Sequence, residues 1–180
     1  MNIFVMRHGT TIWNEKGITQ GRTNNRLSKS GVELTKKRAE EHKKLNLNVI
    51  YCSPLMRTIQ TANIMNKFHN VKVIKDNRLI EIDQGVFTGR NKNDLTDEER
   101  NLKFSRAKSC GMESYQSVYE RSKEFLLDIK NNCNFENILI ITRNCNATLL
   151  ETLLLNIDVD YDNDKHLRNF KNAEIKKFEL

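Results

Sequence analysis

The sequence predicts an α/β fold, a three-layer α/β/α sandwich with a mostly parallel central sheet. Short β-type runs alternate with segments of helical period along the chain, and such alternation packs as helices on both faces of a parallel sheet. The length of 180 residues, at roughly 150 per domain, predicts a single domain over residues 1–180.

The elements follow in order. Ile3 to Met6 is the first apolar run and predicts a buried strand. Ser28 is a suitable N-cap for a helix from Lys29 to Leu45. Val49 to Cys52 predicts the second strand, and Leu55, Ile59, Ala62, Met65 and Phe68, spaced by threes and fours, predict the next helix. Val71 to Ile74 is the third strand. The polar, weakly periodic stretch from Arg90 to Gly111 reads as an excursion over the ligand-binding edge of the sheet. A helix opening at Ser114 places Val118, Phe125, Leu126 and Ile129 on one face. Ile138 to Ile141 is the fourth strand, Ala147 to Leu155 a short buried helix, and Ile175 to Phe178 the fifth strand.

Composition narrows the function classes. With 38 % apolar and 29 % charged residues the chain can bury a core, which argues against disorder. The net charge of +7, from 30 basic and 23 acidic side chains, points to an anionic partner. The densest basic stretch, Lys36-Lys37-Arg38 through Lys43-Lys44, is broken by Glu40 and Glu41 and carries no aromatic residues for base stacking. It reads as a solvated helix face, so nucleic acid is not the expected partner. Cys52, Cys110, Cys133 and Cys145 form no CxxC pair and have no histidine at metal-ligand spacing, so free thiols and no metal are expected. No secretion leader is legible, and the apolar runs fall far short of the ~20 residues that span a bilayer. A cytoplasmic protein without membrane contact is the expectation.

In open α/β sheets ligands gather at the carboxyl ends of the strands, where this chain places Arg7-His8-Gly9, Ser53-Pro54-Leu55-Met56-Arg57 and Thr142-Arg143-Asn144. His8 leaves a buried strand beside an arginine, with a glycine that lets the backbone turn; alone, it could equally be an ordinary loop histidine. Arg57 starts a helix, where the macrodipole and free amides also favour an anion. Arg7 and Arg57 together suit a phosphate clamp. Glu81, among the apolar residues of Leu79-Ile80-Glu81-Ile82, suits a general acid if it is buried, and otherwise is a surface residue.

These stretches resemble the histidine phosphatase superfamily, in its phosphoglycerate mutase-like branch. Arg7 to Asn14 resembles the RHGxTxWN signature. The later motifs agree in order: Leu27 to Gly31, the SPLxRTxQTA box at Ser53 to Ala62, LxEIDxGxxxG at Leu79 to Gly89, and GxES at Gly111 to Ser114 with Arg121 following. The resemblance runs from Asn2 to about Phe178. It implies that His8 is a nucleophile forming a phosphohistidine, that Arg7, Arg57 and Asn14 bind the phosphoryl oxygens, and that Glu81 protonates the leaving alcohol. It further implies that Thr11, Gln20 and Gly21 face the substrate, and that no cofactor or metal is needed. The expected partner is a small phosphorylated molecule; a homodimer is left open.

One departure stands out. The family carries a second histidine after the fourth strand, and Arg143 occupies that place. Arginine can still bind phosphoryl oxygens, but tight ground-state binding does not by itself accelerate transfer. None of His42, His69 or His166 follows a strand as a substitute. A second departure, Asn24 and Arg26 where the family has an aspartate and a proline, bears on loop shape and substrate. The leading reading is a phosphomonoesterase of small metabolites. The rivals are a degenerate phosphoester-binding protein on the same scaffold and a phosphoglycerate mutase; the 62 positions from Glu81 to Arg143 fit the compact phosphatases better than mutases with their added segments.

Overall fold

The computed structural model describes residues 1–158 and 170–180; His166 lies outside them. Among the described residues there are five strands, β1 (Asn2–Arg7), β2 (Val49–Cys52), β3 (Lys72–Lys75), β4 (Asn137–Thr142) and β5 (Ile175–Glu179). Six α-helices accompany them: α1 (Ile12–Glu15), α2 (Lys29–Glu41), α3 (Met56–Met65), α4 (Asp97–Phe104), α5 (Tyr115–Asn132) and α6 (Asn144–Leu154). The sheet order is β3-β2-β4-β1-β5. All pairings are parallel except β1 with β5.

Alternation along the strands decides the layers. Ile3 and Val5 pack on one side with Phe125 and Ile129 of α5 and with Ala147 and Leu150 of α6. Phe4 and Met6 pack on the other with Ala39 of α2 and with Ala62 and Met65 of α3. Successive side chains of a strand point to opposite faces, so each strand feeds both cores and the predicted three layers result.

Most predicted elements are present, with shifted ends. Ser28 caps α2, its hydroxyl accepting from Gly31 N at 3.1 Å, but the helix stops at Glu41, before the expected Leu45, because the chain must turn to bury Leu47 and Val49. The last helix starts at Asn144, three residues earlier than expected. The stretch after Arg90 contains the unpredicted α4, whose N-terminus is closed by a reciprocal capping box between Thr96 and Glu99. The four cysteines are free, and no described helix is long and apolar enough to cross a membrane.

Register builds the site. Arg7 at the end of β1 lies opposite Thr142 at the end of β4, and Cys52 of β2 lies opposite Ile141. The residues leaving these three strands, His8, Arg143 and Ser53, are therefore neighbours. His8 N donates to Thr142 O at 2.9 Å and Ser53 N to Ile141 O at 3.1 Å.

Candidate active site

His8 is fully buried. Its Nδ1 lies 2.6 Å from Gly9 O. A carbonyl only accepts, so Nδ1 carries the proton and Nε2 keeps the lone pair; Nε2 has no hydrogen-bond partner. Burial, then Arg57, Arg7 and Arg143, pushes the imidazole well below its ordinary pKa of 6.5, outweighing the Gly9 hydrogen bond that works the other way. A neutral ring with a free nitrogen stands among guanidinium groups.

Those groups are positioned from several elements. Arg57, in the first turn of α3, donates from Nη1 to Thr23 O at 2.7 Å and from Nη2 to Gly21 O at 2.9 Å. Arg7 donates to Phe170 O at 2.7 Å. Burial, and next the neighbouring charge of Arg143, lowers both guanidinium groups to about 10; at neutral pH both remain cations. Arg143 precedes α6 and reaches Glu81, its Nε 3.0 Å from Oε2. The N–H is not aimed along that line, so the contact is an ion pair and Oε2 is left without a hydrogen bond. Glu81 Oε1 accepts from Ile82 N at 2.9 Å.

The loop that carries Glu81 is braced from outside. Glu113 Oε2 accepts from Asp83 N at 3.1 Å and pairs with Arg22 at 3.1 Å, while Oε1 pairs with Arg121 at 3.2 Å. Burial is the largest single influence on Glu113 and pushes it up, but Arg121, the Asp83 amide and Arg22 together hold it below the usual carboxylate range. Arg22 Nε donates to Glu81 O at 3.1 Å, and Arg106 donates to Asp83 O and Glu113 O.

Of the residues singled out in the sequence, Arg7, Asn14, Glu81 and Arg143 line one open cavity of about 610 Å³. His8 and Arg57 are buried and are not among its lining residues; nor are Thr11, Gln20 and Gly21. Thr11 caps α1, and its backbone N–H and hydroxyl both donate to Asn14 Oδ1, at 3.1 and 3.0 Å, which turns over the amide NH₂ of Asn14 to any ligand. Gln20 is fully buried with neither amide atom hydrogen-bonded. Gly21 adopts φ +49°, and a β-carbon there would lie 2.7 Å from Thr88 Oγ1, so a glycine is needed where the backbone turns to present its carbonyl to Arg57.

Sequence reasoning missed the segment before β5. Asn172 Nδ2 donates to His8 O at 3.2 Å, and Asn144 Oδ1 accepts from Phe170 N at 3.0 Å. No local pattern marks these residues, because their partners are far away in the chain. It also missed Lys92, Arg100 and Lys103, which line the cavity from the excursion.

The family profile described as histidine phosphatase superfamily, branch 1, matches residues 3–180. The chain belongs to the histidine phosphatase superfamily. A relative within it, phosphoserine phosphatase 1 of Hydrogenobacter thermophilus, is 29 % identical over 170 residues, covering 88 % of this chain and 78 % of that protein. A probable phosphoglycerate mutase of Enterobacter sp. is 36 % identical over 99 residues, 55 % of this chain and 46 % of the mutase, so the chain matches about half the length of that relative. Among solved structures, phosphoserine phosphatase from Entamoeba histolytica in complex with 3-phosphoglyceric acid superposes with a TM-score of 0.80 at 26 % identity over 99 % of this chain and 90 % of that one. Mycobacterial glucosyl-3-phosphoglycerate phosphatase shares the histidine phosphatase fold, with a TM-score of 0.82 at 22 % identity over 98 % and 88 % of the two chains.

Proposed function

We propose that the protein is a metal-independent phosphomonoesterase acting on a small phosphorylated metabolite through a phosphohistidine at His8. The observation that carries this reading is the tautomer of His8: Nδ1 is committed to Gly9 O, Nε2 is free, and the ring is kept neutral. A phosphoryl donor needs such a nucleophile, and the surrounding guanidinium groups match the charge on the transferring oxygens. Relatives named as phosphatases support the reaction class.

In the proposed reaction the phosphoryl oxygens draw Arg7 and Arg143 onto themselves, with the Asn14 amide assisting. That movement uncovers the buried His8 and frees Glu81 from its ion pair. Nε2 attacks phosphorus as the ester P–O bond breaks; Glu81, once released from Arg143, takes the proton of the monoanionic phosphoryl group and passes it to the leaving oxygen. Water then attacks phosphorus, Glu81 takes a proton from it, and the P–N bond breaks to release phosphate. Arg143, directly after β4, stands in for the second histidine of the family.

A second reading, a degenerate phosphoester-binding protein, is favoured by one observation: Arg143 already occupies Glu81 in the free protein. Phosphate release from a panel of phosphomonoesters at pH 6 to 7, without added metal and beside His8→Ala, separates the two. Turnover that vanishes in the variant is the expected result. No turnover in the wild type, with phosphorylated ligands still raising the melting temperature, would replace the enzyme by the binding protein.

A further inference from the structure

The stretch Gly111 to Ser114 takes no part in the proposed steps, yet Glu113 stands at the centre of an ion network next to the acid. Its side chain is 11 % exposed and does not line the cavity. Both carboxylate oxygens are fully used. Oε1 accepts from Arg121 Nε at 3.2 Å and from Ser117 Oγ at 3.1 Å. Oε2 accepts from Asp83 N and Arg22 Nη2, each at 3.1 Å, and from Arg121 Nη2 at 3.3 Å. Two cations and an amide on one carboxylate keep it ionised.

Two of these contacts bear on Glu81. Residues 81–83 belong to no strand or helix, so their backbone groups depend on partners from elsewhere in the fold. Upstream, Thr142 Oγ1 donates to Leu79 O at 2.9 Å and ties the loop to β4. Downstream, the ties run through Glu113. Its carboxylate holds Asp83 N, its own N–H donates to Asp83 O at 3.3 Å, and Arg106 donates to both Asp83 O and Glu113 O. Arg22 then forms a bridge, with Nη2 on Glu113 and Nε donating to Glu81 O at 3.1 Å. The same arginine lies between Gly21 and Thr23, whose carbonyls hold Arg57. The backbone of the acid is thereby set against the turn that carries Arg57. Since Arg57 anchors that turn with two bonds of its own, loss of the bridge falls on Glu81.

We propose that Glu113 is a positioning residue for the reaction: through the Asp83 amide and through Arg22 it sets the place of Glu81 beside the leaving oxygen. The inference rests on the phosphatase reading. A misplaced acid leaves a specific signature, because an alkoxide needs a proton to leave and the far less basic p-nitrophenolate does not. Displacement of a reacting group by about 1 Å can cost on the order of 10²-fold in rate. A residue that only holds the fold together slows both kinds of ester alike.

The test compares kcat/KM for p-nitrophenyl phosphate and for the alkyl phosphate that turns over fastest, in the wild type, Glu113→Gln and Arg22→Lys, with Glu81→Gln as reference. Glu81→Gln defines the signature, a loss concentrated on the alkyl ester. Glu113→Gln leaves an oxygen for the Asp83 amide but removes the charge that holds Arg22. It should slow the alkyl ester by about tenfold or more and p-nitrophenyl phosphate little. Arg22→Lys, at a half-exposed position, keeps a cation near Glu113 but lacks the planar fork that reaches two acceptors. The same selective loss is expected there, and this variant decides the matter should Glu113→Gln fail to fold. Equal losses on both esters, or unchanged kcat/KM in the variants that fold, overturn the inference and leave the phosphatase reading standing. A wild type that cleaves only p-nitrophenyl phosphate makes no use of an acid and overturns it too. If the wild type releases phosphate from neither ester, the phosphatase reading fails and the positioning role falls with it.

Discussion

Arg143 Nε lies 3.0 Å from Glu81 Oε2, the arginine side chain 15 % and the glutamate 2 % exposed, and this ion pair joins the start of α6 to the loop after β3. It places a permanent cation on the carboxylate proposed as the acid. Arg143→His should therefore raise kcat, by about tenfold or more toward the 10²–10³ that one preorganised donor supplies, and weaken phosphate binding at the same time. Steady-state kinetics with inorganic phosphate as inhibitor read both effects. An unchanged or lower kcat would mean that catalysis is built around the guanidinium.

His8 predicts a pH-dependent stability. Its folded pKa is pushed well below 6.5, first by burial and then by the surrounding arginines, whereas the unfolded chain takes up this proton near pH 6.5. Below that pH the unfolded state binds more protons. The stability contributed is intact above about pH 6.5 and is lost as the pH falls, by up to about 1.4 kcal/mol per unit, until the folded pKa is reached. Urea unfolding from pH 7.5 to 5 should show a steeper loss for the wild type than for His8→Asn. Parallel curves would place a proton on the native ring and remove the free nucleophile.

Gly31 predicts a packing defect that reaches the site. A β-carbon there would lie 1.9 Å from Thr10 O, the carbonyl that accepts from Ser28 N at 2.9 Å, two residues after His8. Gly31→Ala should cost about 3 kcal/mol, the upper end of overpacking effects, seen as a lower urea midpoint, and should reduce kcat as the His8 loop is displaced. A variant as stable as the wild type would show that α2 does not press on this loop.

Much of this protein was legible locally. The apolar runs of β1, β2 and β4 and the spaced residues of α3 and α5 announce themselves because periods of 2 and 3.6 are set by backbone geometry alone. Ser28 was readable as a cap because its hydroxyl can accept from a free amide of the first helical turn, and the helix opening at Ser114 was readable from its period. The signal for α4 was also present, Thr96 followed three residues later by Glu99, but the charged surroundings hid it. The match to the histidine phosphatase superfamily was likewise carried by residues close together in the chain, as in Arg7-His8-Gly9.

The sequence by itself determined the layers of the fold and which residues leave each strand. Only the tertiary structure decided how those residues meet: the strand order β3-β2-β4-β1-β5, the reversed β5, the hydrogen bond from Asn172 to His8, and the pairing of Arg143 with Glu81. The sequence reading set Glu81 among apolar neighbours, and the fold adds a guanidinium against it. The reason is that side-chain period is a property of a few consecutive residues, whereas contact between residues far apart exists only once strand register and helix packing have brought their backbones together.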